Sequence, residues 1–374
     1  MRRRRASAAR WALAVGGLLL LLGCLLLGRA APRQALLSYL SAFIFFTGLS
    51  VGSLALLMVH ELTGGSWGRY LQPPLLAAAG ALPLQALLAV PLLIGVPLLY
   101  PWADAAAVLH DARLRAQSWY LDVPFFIART LVCFGLWLAL CAALRRRLTG
   151  RAAAARTVRL AAAGLILYAL STLVVATDWV MSLTPHWHSS SFGLMVATGW
   201  MLAAAALAVL RAVGTTRGDE PPPAAVLHDL GNLLLMFVLA WSYLAFMQYL
   251  TVWIADQPAE TAWYLPRTST SWRTLAWFLI AFHFAVPFAV LLSRRVKRAR
   301  LPLTAIAGLL LIASAAEALW LTLPDLRTGA FALRWTDLLA GAGMGLLWLA
   351  VYVRGPGASL DVRAGSAALG AAHG

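Results

Sequence analysis

Long apolar runs alternate with short polar connectors along most of the chain. Ten of these runs are long enough, or nearly so, to cross about 30 Å of hydrocarbon as helices that rise 1.5 Å per residue. Their approximate limits are residues 11–28, 36–59, 75–100, 124–144, 157–179, 190–211, 227–254, 272–293, 301–323 and 333–353. The runs do not show the period of two that strands of a membrane barrel require. The pattern therefore predicts an all-α polytopic membrane protein with ten transmembrane helices.

The composition supports the same class of protein. The chain has 374 residues, of which 61% are hydrophobic and only 12% are charged, whereas soluble domains carry about 25% charged residues. A net charge of +16 also occurs in nucleic-acid-binding proteins, but here the basic residues are clustered between apolar runs. The chain has no Arg-rich aromatic module of the nucleic-acid-binding kind, so we predict a lipid membrane as partner and no nucleic acid.

The basic residues are distributed unevenly over alternate connectors. With the N terminus inside, 21 Lys and Arg residues fall on the inner side and eight on the outer side. Because Lys and Arg accumulate in cytoplasmic loops, both termini are predicted to be cytoplasmic. We expect residues 11–28 to be a retained first helix and not a cleaved signal peptide. Residues 355–374 are rich in Gly and Ala and are predicted to form a flexible cytoplasmic tail.

The third apolar run and the connector that follows it have a predictable local structure. The third apolar run contains Pro83, Pro91 and Pro97, and each Pro removes a backbone donor and clashes with the preceding turn. We therefore predict a kinked third helix. The longest outer connector, residues 101–123, is expected to carry a short interfacial helix.

The cysteines argue against a redox centre held by this chain. Cys24, Cys133 and Cys141 each lie inside an apolar run, and neither C-x-x-C nor C-x-x-C-H occurs. An iron–sulfur cluster, a structural zinc and an attached c-type haem are therefore not expected. A b-type haem needs two His at matching depth, and His283 has no such partner. We predict that the chain binds no metal or haem directly.

The segment of residues 171–192 has the highest density of ionisable and aromatic residues among the connectors. Asp178, Trp179, His186 and Trp187 fall within eleven positions between two apolar runs. An ionisable residue at membrane depth costs about 2.5–3.5 kcal/mol on insertion scales and is a functional candidate by default. The structural alternative is an interfacial turn, with Asp in water and Trp in the aromatic belt. The tryptophans expected near the outer face are Trp102, Trp119, Trp179, Trp187, Trp253, Trp263 and Trp272.

Other ionisable residues sort by depth. The residues predicted to relay protons are His60, His228 and Asp229 at the inner face, Asp178 and His186 at the outer face, and His283 in the middle of the eighth helix. Histidine exchanges protons near neutrality, and chains of Asp, Glu and His relay protons in membrane proteins. The alternatives are helix termination for the two inner histidines, a favourable helix dipole for Asp229 and an interhelical hydrogen bond for His283.

Two further charged residues, Glu317 and Arg129, have candidate partners. Glu317 is expected either to act in the membrane or to pair with Arg327 or Arg334, and Arg129 to pair with Asp122 or a lipid headgroup.

The outer connector yields a specific relay hypothesis. Pro185 restricts Thr184 to an extended conformation, which predicts a sharp turn that brings His186 back towards Asp178. A carboxylate beside an imidazole has a pKa that depends strongly on the charge of its partner. Such a pair would pass protons to the outer solvent, whereas the alternative is that Asp178 only fixes the loop.

The order of several short segments resembles a known family. The stretch Asp-Trp-x-Met-Ser-Leu-x-Pro-His-Trp at residues 178–187 looks like the signature of the ActF-type membrane subunit of bacterial alternative complex III, within the NrfD/PsrC-like family. Further matching segments are His60 with residues 62–68, residues 99–103, 119–121 and 124–126 with Arg129, then 228–231, Trp253 with Pro258 and Glu260, 263–265, 283–284 and 287–288. The chain departs from the family pattern at Glu61, Asp122, Thr184, His188 and Asn232.

The resemblance implies an architecture and a function. NrfD-like relatives arrange eight helices as two four-helix bundles, so helices two to five and six to nine are expected to do so, plus two extra helices. The function implied is an integral subunit of a quinol-oxidising complex in the bacterial inner membrane. It would carry no redox centre itself and would contact an ActC-like membrane subunit. Iron–sulfur clusters and haem c are expected in partner subunits. Trp179 and Trp187 are the candidates to face quinone.

Two other classes of function remain open from the sequence. A proton-linked secondary transporter would suit ten helices, a broken third helix and ionisable residues near the midplane. Against it, most charges lie at the faces, and no pair of interrupted helices recurs in two halves. The third reading is a purely structural membrane anchor.

Overall fold

The structure is a computed structural model that describes residues 2–149, 154–214, 222–327 and 331–354. Within these ranges all regular secondary structure is helical. Ten of the described segments are long and apolar enough to cross a membrane. The predicted all-α fold with ten spans is therefore confirmed, while the predicted tail, residues 355–374, lies outside the described residues.

We number the ten spans in chain order. Eight spans are single helices: span 1 is Arg2–Leu27, span 2 Pro32–Thr63, span 4 Val123–Thr149, span 5 Ala154–Trp179, span 6 Phe192–Gly214, span 7 Ala224–Ala255, span 9 Arg300–Thr322 and span 10 Trp335–Tyr352. Span 3 is divided into Trp67–Ala79, Leu82–Leu88, Val90–Ile94 and Val96–Leu99. In span 8, Arg273–Leu279 and Val286–Leu292 flank a π-helical turn at Ile280–Ala285. Short helices in the connectors are Gly28–Ala30, Pro101–Ala103, Ala105–His110, Ala112–Gln117, Met181–Leu183, Pro258–Thr261, Leu265–Thr268 and Arg294–Lys297.

Prolines break span 3 as predicted. Each of Pro83, Pro91 and Pro97 occupies the first or second position of a new helical piece, where its missing N–H costs nothing. The helix also begins earlier than predicted, at Trp67, because it continues through Pro73 and Pro74. Packing of this first piece against span 2 holds the helix where local preference alone predicts none.

After a short 3-10 helix at Pro101–Ala103, the outer connector between spans 3 and 4 contains two short α-helices where one helix was predicted. Asp104 and Asp111 cap them: each side chain accepts a hydrogen bond from a backbone N–H two residues on, at 3.0 Å from Ala106 and 2.8 Å from Arg113. A carboxylate at this position satisfies an N–H group that has no partner within the helix. The two aspartates therefore set where the helices begin.

The spans form two four-helix groups and an outlying pair. Spans 2–5 pack against one another, spans 6–9 pack against one another, and span 1 packs mainly on span 10. This agrees with the expected two bundles plus two extra helices. We call the end with connectors 3–4, 5–6, 7–8 and 9–10 the outer face, as the basic residues predict, and the opposite end the inner face.

Spans 2 and 6 form the centre of the molecule. In their most apolar stretches 78% and 72% of residues are buried, and no other span exceeds 50%. A Cβ added to Gly52 of span 2 would lie 2.2 Å from the backbone oxygen of Trp200 on span 6. Small residues allow this close approach of two helices inside a membrane. The contact joins the two bundles.

Candidate functional site

Asp178, at the outer end of span 5, is paired with an arginine. Its carboxylate oxygens accept hydrogen bonds from Nε and Nη2 of Arg129, on span 4, at 2.7 and 3.1 Å. The Asp178 side chain is 1% exposed and that of Arg129 is 10% exposed. Such a two-point, charge-assisted contact is strong and directional. The expectation that Arg129 pairs with Asp122 is therefore wrong.

Aromatic residues enclose this ion pair. The guanidinium carbon of Arg129 lies 3.9 Å from the ring centre of Tyr120 and 4.3 Å from that of Phe125, and Nη1 donates to the Tyr120 backbone oxygen at 2.9 Å. Burial, together with the charge of Asp178, raises the pKa of Tyr120 to about 12. Tyr120 therefore stays protonated at neutral pH.

Trp179 points into the first bundle. Its indole N–H donates to Thr130 at 3.2 Å and its backbone oxygen accepts from the Tyr100 hydroxyl at 3.0 Å. Its ring packs against Phe43 and Phe134. Burial, and then the charge of Asp178, raises the pKa of Tyr100, so this hydroxyl also remains a donor. We call the ion pair with Tyr100, Tyr120, Trp179 and Thr130 the outer cluster.

His186 does not reach Asp178, so the predicted relay pair is absent. The chain does turn, since the N–H of Trp187 donates to the Thr184 backbone oxygen at 2.9 Å, but the turn directs Trp187 inward and His186 outward. His186 Nε2 lies 2.9 Å from an oxygen of Asp111, with both side chains partly exposed. Two physical reasons explain the difference. Burial of the Trp187 indole leaves the neighbouring His186 imidazole in solvent. Arg129 is also a permanent countercharge for Asp178, which therefore needs no second partner.

The contact of His186 with Asp111 ties two outer connectors together. His188 adds a second tie, with its Nε2 3.2 Å from Nε2 of Gln117. Partial desolvation acts to raise the pKa of Asp111, but hydrogen bonds from the backbone of Leu114 and Arg113 and the nearby His186 outweigh it. The pKa of Asp111 is therefore held below its usual range, which keeps this helix cap ionised at neutral pH.

Trp187 belongs to the second bundle. Its ring stacks on Trp263 with centres 4.6 Å apart, and the guanidinium carbon of Arg267 lies 3.6 Å from the Trp263 ring centre. Arg267 is fully buried and binds both oxygens of Asp325, at 2.7 and 2.6 Å. A second buried arginine–carboxylate pair thus holds the outer end of the second bundle. Both Arg267 and Asp325 were missed in the sequence.

A signal for this second pair exists in the sequence, but it points to the wrong arginine. Residues 119–131 and 263–275 both contain Trp-Tyr-Leu followed, at the same separation, by Arg-Thr-Leu. In the first copy the motif arginine, Arg129, makes the ion pair. In the second copy the motif arginine, Arg273, is exposed, and Arg267 makes the pair instead.

A third pair joins the outer ends of spans 9 and 10. Arg327 donates to both oxygens of Asp337, and also to Ser38 of span 2 at 3.0 Å. This excludes the predicted pairing of Glu317 with Arg327. Arg334 instead donates to Gln34 at 2.7 Å, which excludes the other predicted partner.

The inner-face candidates separate into two places. His60 contacts Glu61 at 3.6 Å and the backbone oxygen of Gly65 at 3.2 Å. A Cβ on Gly68 would lie 1.8 Å from the His60 ring, so any side chain at residue 68 would displace the imidazole.

His228, in span 7, lies 3.2 Å from Asn232, which accepts a hydrogen bond from Lys297 at 2.7 Å. Asp229 is exposed in the second turn of the same helix. Among the described residues no hydrogen bond or ion pair connects His60 with this group, so a single inner cluster does not form.

His283 lies in the π-helical turn of span 8 and is fully buried. The ring centres of His283 and Trp241 are 4.1 Å apart. Its Nδ1 is 3.9 Å from Glu317 Oε2, and its Nε2 is 3.3 Å from the Ser314 hydroxyl. Glu317 therefore lies at the same depth as His283. The sequence analysis did not pair these two residues.

The two tryptophans proposed to face quinone do not form one platform. Trp179 is buried in the first bundle and Trp187 against the second, and each is at most 3% exposed. The cavity beside Trp179 is about 10 Å³, far below the roughly 300–1,000 Å³ of ordinary ligand pockets. These residues as placed here do not fit a quinone ring. Of the seven tryptophans assigned to the outer face only Trp119 and Trp253 are exposed, so most pack inside the protein.

In the described part of the chain, no three His, Cys, Asp or Glu side chains lie close enough together to hold a metal ion. No protein-family model matches the sequence, and no curated protein matches it.

Proposed function

We propose that the chain is an ActF-type integral membrane subunit of a respiratory quinol-oxidising complex. One observation carries the proposal. The segments on which the resemblance rests are far apart in sequence, yet four of them meet in the outer cluster: Tyr100, Tyr120, Arg129 and Asp178 with Trp179. A set of motifs that converges on one buried constellation is a stronger sign of kinship than the same motifs scattered over the fold.

The architecture suits a subunit that acts beside redox partners. Spans 4, 5, 7 and 8 lie at the periphery, with 28–39% of their most apolar stretches buried. Their exposed apolar side chains suit lipid and a paired ActC-like membrane subunit. Electrons would pass through partner subunits with iron–sulfur clusters and multihaem cytochromes c. Within this proposal Asp178 is a positioning residue, and proton transfer is assigned to the histidine candidates.

The test is co-purification from the native host membrane. With an affinity tag on this chain, we expect mass spectrometry to identify iron–sulfur and multihaem subunits, and optical spectra to show haem c in the complex. Membranes that lack the chain should lose quinol oxidation by that complex. A tagged chain that purifies without redox subunits, or a deletion that leaves quinol oxidation unchanged, would exclude the proposal.

A proton-linked secondary transporter is the second candidate. It is favoured by the divided span 3 and by the buried Glu317 beside His283, since broken helices and midplane ionisable groups are features of such proteins. Co-purification distinguishes the two candidates, because a transporter would purify without redox subunits. In a second measurement, vesicles that contain a purified transporter would acidify when its substrate is added.

A further inference from the structure

Glu317 is a buried carboxyl that none of the three arginine pairs neutralises. It is 6% exposed, and its Oε1 accepts a hydrogen bond from the indole N–H of Trp241 at 2.6 Å. Arg267 and Arg327, the buried arginines nearest in sequence, are bound to Asp325 and Asp337. Among the described residues no Lys or Arg forms an ion pair with Glu317.

The hydrogen-bond donors around His283 fix which of its nitrogens carries the proton. The Ser314 hydroxyl donates to the Leu310 backbone oxygen at 2.9 Å, so its oxygen is left to accept from His283 Nε2–H at 3.3 Å. A neutral imidazole has one N–H and one lone pair. Nδ1 is therefore the lone-pair atom, and it has no hydrogen-bond partner in the protein.

Two acceptors then face each other in an apolar interior. His283 Nδ1 lies 3.9 Å from Glu317 Oε2, and an ionised carboxylate without a countercharge is costly to bury. One proton on Glu317 removes the buried charge and turns one of the two facing acceptors into a donor. The separation of 3.9 Å is too long for a direct hydrogen bond, so the gain comes from removing the charge.

A small cavity borders Glu317 on the side away from His283's own helix. It has a volume of about 20 Å³ and is lined by Glu317, Ser314 and Gly199, with Ile44 and Phe45 of span 2 on its far side. A polar cavity of about 10–15 Å³ or more holds one water. A Cβ on Gly199 would lie 3.2 Å from Oε2 of Glu317, so the glycine keeps this side open. The cavity lies between the two bundles.

The backbone of span 8 is shaped around the same site. Pro287 has no N–H to donate to the backbone oxygen of His283, four residues earlier, and its ring crowds that oxygen. The helix relieves the conflict with the π-helical turn Ile280–Ala285, in which the N–H of Val286 donates to the Ala281 oxygen. Such turns occur frequently at functional sites.

We propose that Glu317 and His283 form a buried proton-binding site, in which the proton resides on Glu317 and the lone pair of His283 Nδ1 faces the carboxyl group. The ligand class is the proton, delivered as hydronium that leaves its water in the cavity. Every span in contact with the site contributes an uncharged group: Trp241 from span 7, Gly199 from span 6 and Phe45 from span 2. His283 is the other ionisable partner among the described residues. The inference does not depend on the proposed respiratory role.

Infrared spectroscopy of the purified full chain in lipid nanodiscs tests the site. We expect a carbonyl band of a protonated carboxylic acid at neutral pH, which shifts in D₂O and is lost completely in Glu317→Gln. Asp122→Asn is the control, because Asp122 is an exposed carboxylate, and it should leave the band unchanged. Absence of the band in the folded wild-type chain, or its persistence in Glu317→Gln, would overturn the proposal.

Carbodiimide labelling gives a second readout that needs no variant to fold. Dicyclohexylcarbodiimide reacts with protonated carboxyls in apolar surroundings, so peptide mapping should place the adduct on Glu317 and not on Asp178, Asp325 or Asp337. Added Na⁺ should not protect Glu317. Protection by Na⁺ would show a metal-cation site, and labelling of the arginine-paired carboxyls with none on Glu317 would contradict the proton assignment.

Discussion

Arg129, Arg267 and Arg327 each lie at the outer face and each binds both oxygens of an aspartate. At the scale of single residues, this pairing distinguishes carboxylates that have a structural role from ionisable groups that are able to exchange protons. An aspartate held by a guanidinium that never loses its charge has little freedom to exchange protons. Glu317 and His283 have no such partner, which is why the proton chemistry is assigned to them.

The pairing makes a prediction about Asp178. Asp178→Asn keeps the shape of the side chain but leaves Arg129 as an uncompensated buried charge, so we expect a loss of about 3–5 kcal/mol in the free energy of unfolding. Denaturant unfolding in mixed micelles measures it. Asp122→Asn, at an exposed carboxylate in the same region, is the control and should have little effect.

A double replacement tests whether the stability loss comes from the unpaired charge of Arg129. Arg129→Met combined with Asp178→Leu removes both charges and should recover most of the lost stability. If Asp178→Asn unfolds like the wild type but changes proton release by the assembled complex, Asp178 is a relay residue after all.

At the scale of elements, proline decides where two spans leave α-helical geometry. In span 3 successive prolines start new helical pieces, and in span 8 a single Pro287 coincides with the π-helical turn that carries His283. The first effect is a change of path for the chain. The second changes which side chain faces the neighbouring helix, because one extra residue in a turn rotates the residues on either side of it.

Pro287→Ala tests the role of the turn. The new N–H can donate to the His283 backbone oxygen, so the turn should close to an α-helix and rotate the imidazole away from Glu317. We expect the chain to stay folded while the carbonyl band of Glu317 shifts and amide exchange at residues 283–287 slows. Pro302→Ala is the control, since Pro302 lies in the first turn of span 9 and no helical hydrogen bond is missing there. An unchanged carbonyl band would show that the π-helical turn does not influence the environment of Glu317.

At the scale of the whole molecule, the two bundles meet where spans 2 and 6 pack closely. Gly52→Ala would force a methyl group against the Trp200 backbone, and overpacking of this kind costs typically 1–3 kcal/mol. Gly135→Ala is the matched control, because a Cβ there meets no atom within 4 Å and alanine favours the helix. Thermal unfolding of both purified variants should rank Gly52→Ala below wild type and Gly135→Ala at or above it. Equal losses would mean that the bundle contact is not the sensitive one.

The orientation of the whole molecule is the remaining prediction at this scale. Because basic residues are concentrated in alternate connectors, a reporter fused after Arg300 should score cytoplasmic. A reporter placed in residues 101–123 should score periplasmic. A cytoplasmic score in residues 101–123 would invert the proposed topology.

The sequence by itself determined the number of spans and the breaks in span 3. Both follow from local properties: a run of apolar residues crosses the membrane whatever its neighbours are, and proline disturbs the turn in which it lies. The sequence also identified Asp178 and His283 as residues that need an explanation, because an ionisable group at membrane depth is costly wherever it packs.

Only the tertiary structure decided the partners of these residues. Asp178 binds Arg129, 49 positions away, and not His186, eight positions away. His283 meets Glu317 because spans 8 and 9 pack side by side with a π-helical turn between α-helical pieces. The rotation of each helix about its axis determines which side chains face one another. That rotation is fixed by packing against several other spans at once, and no single stretch of sequence contains it.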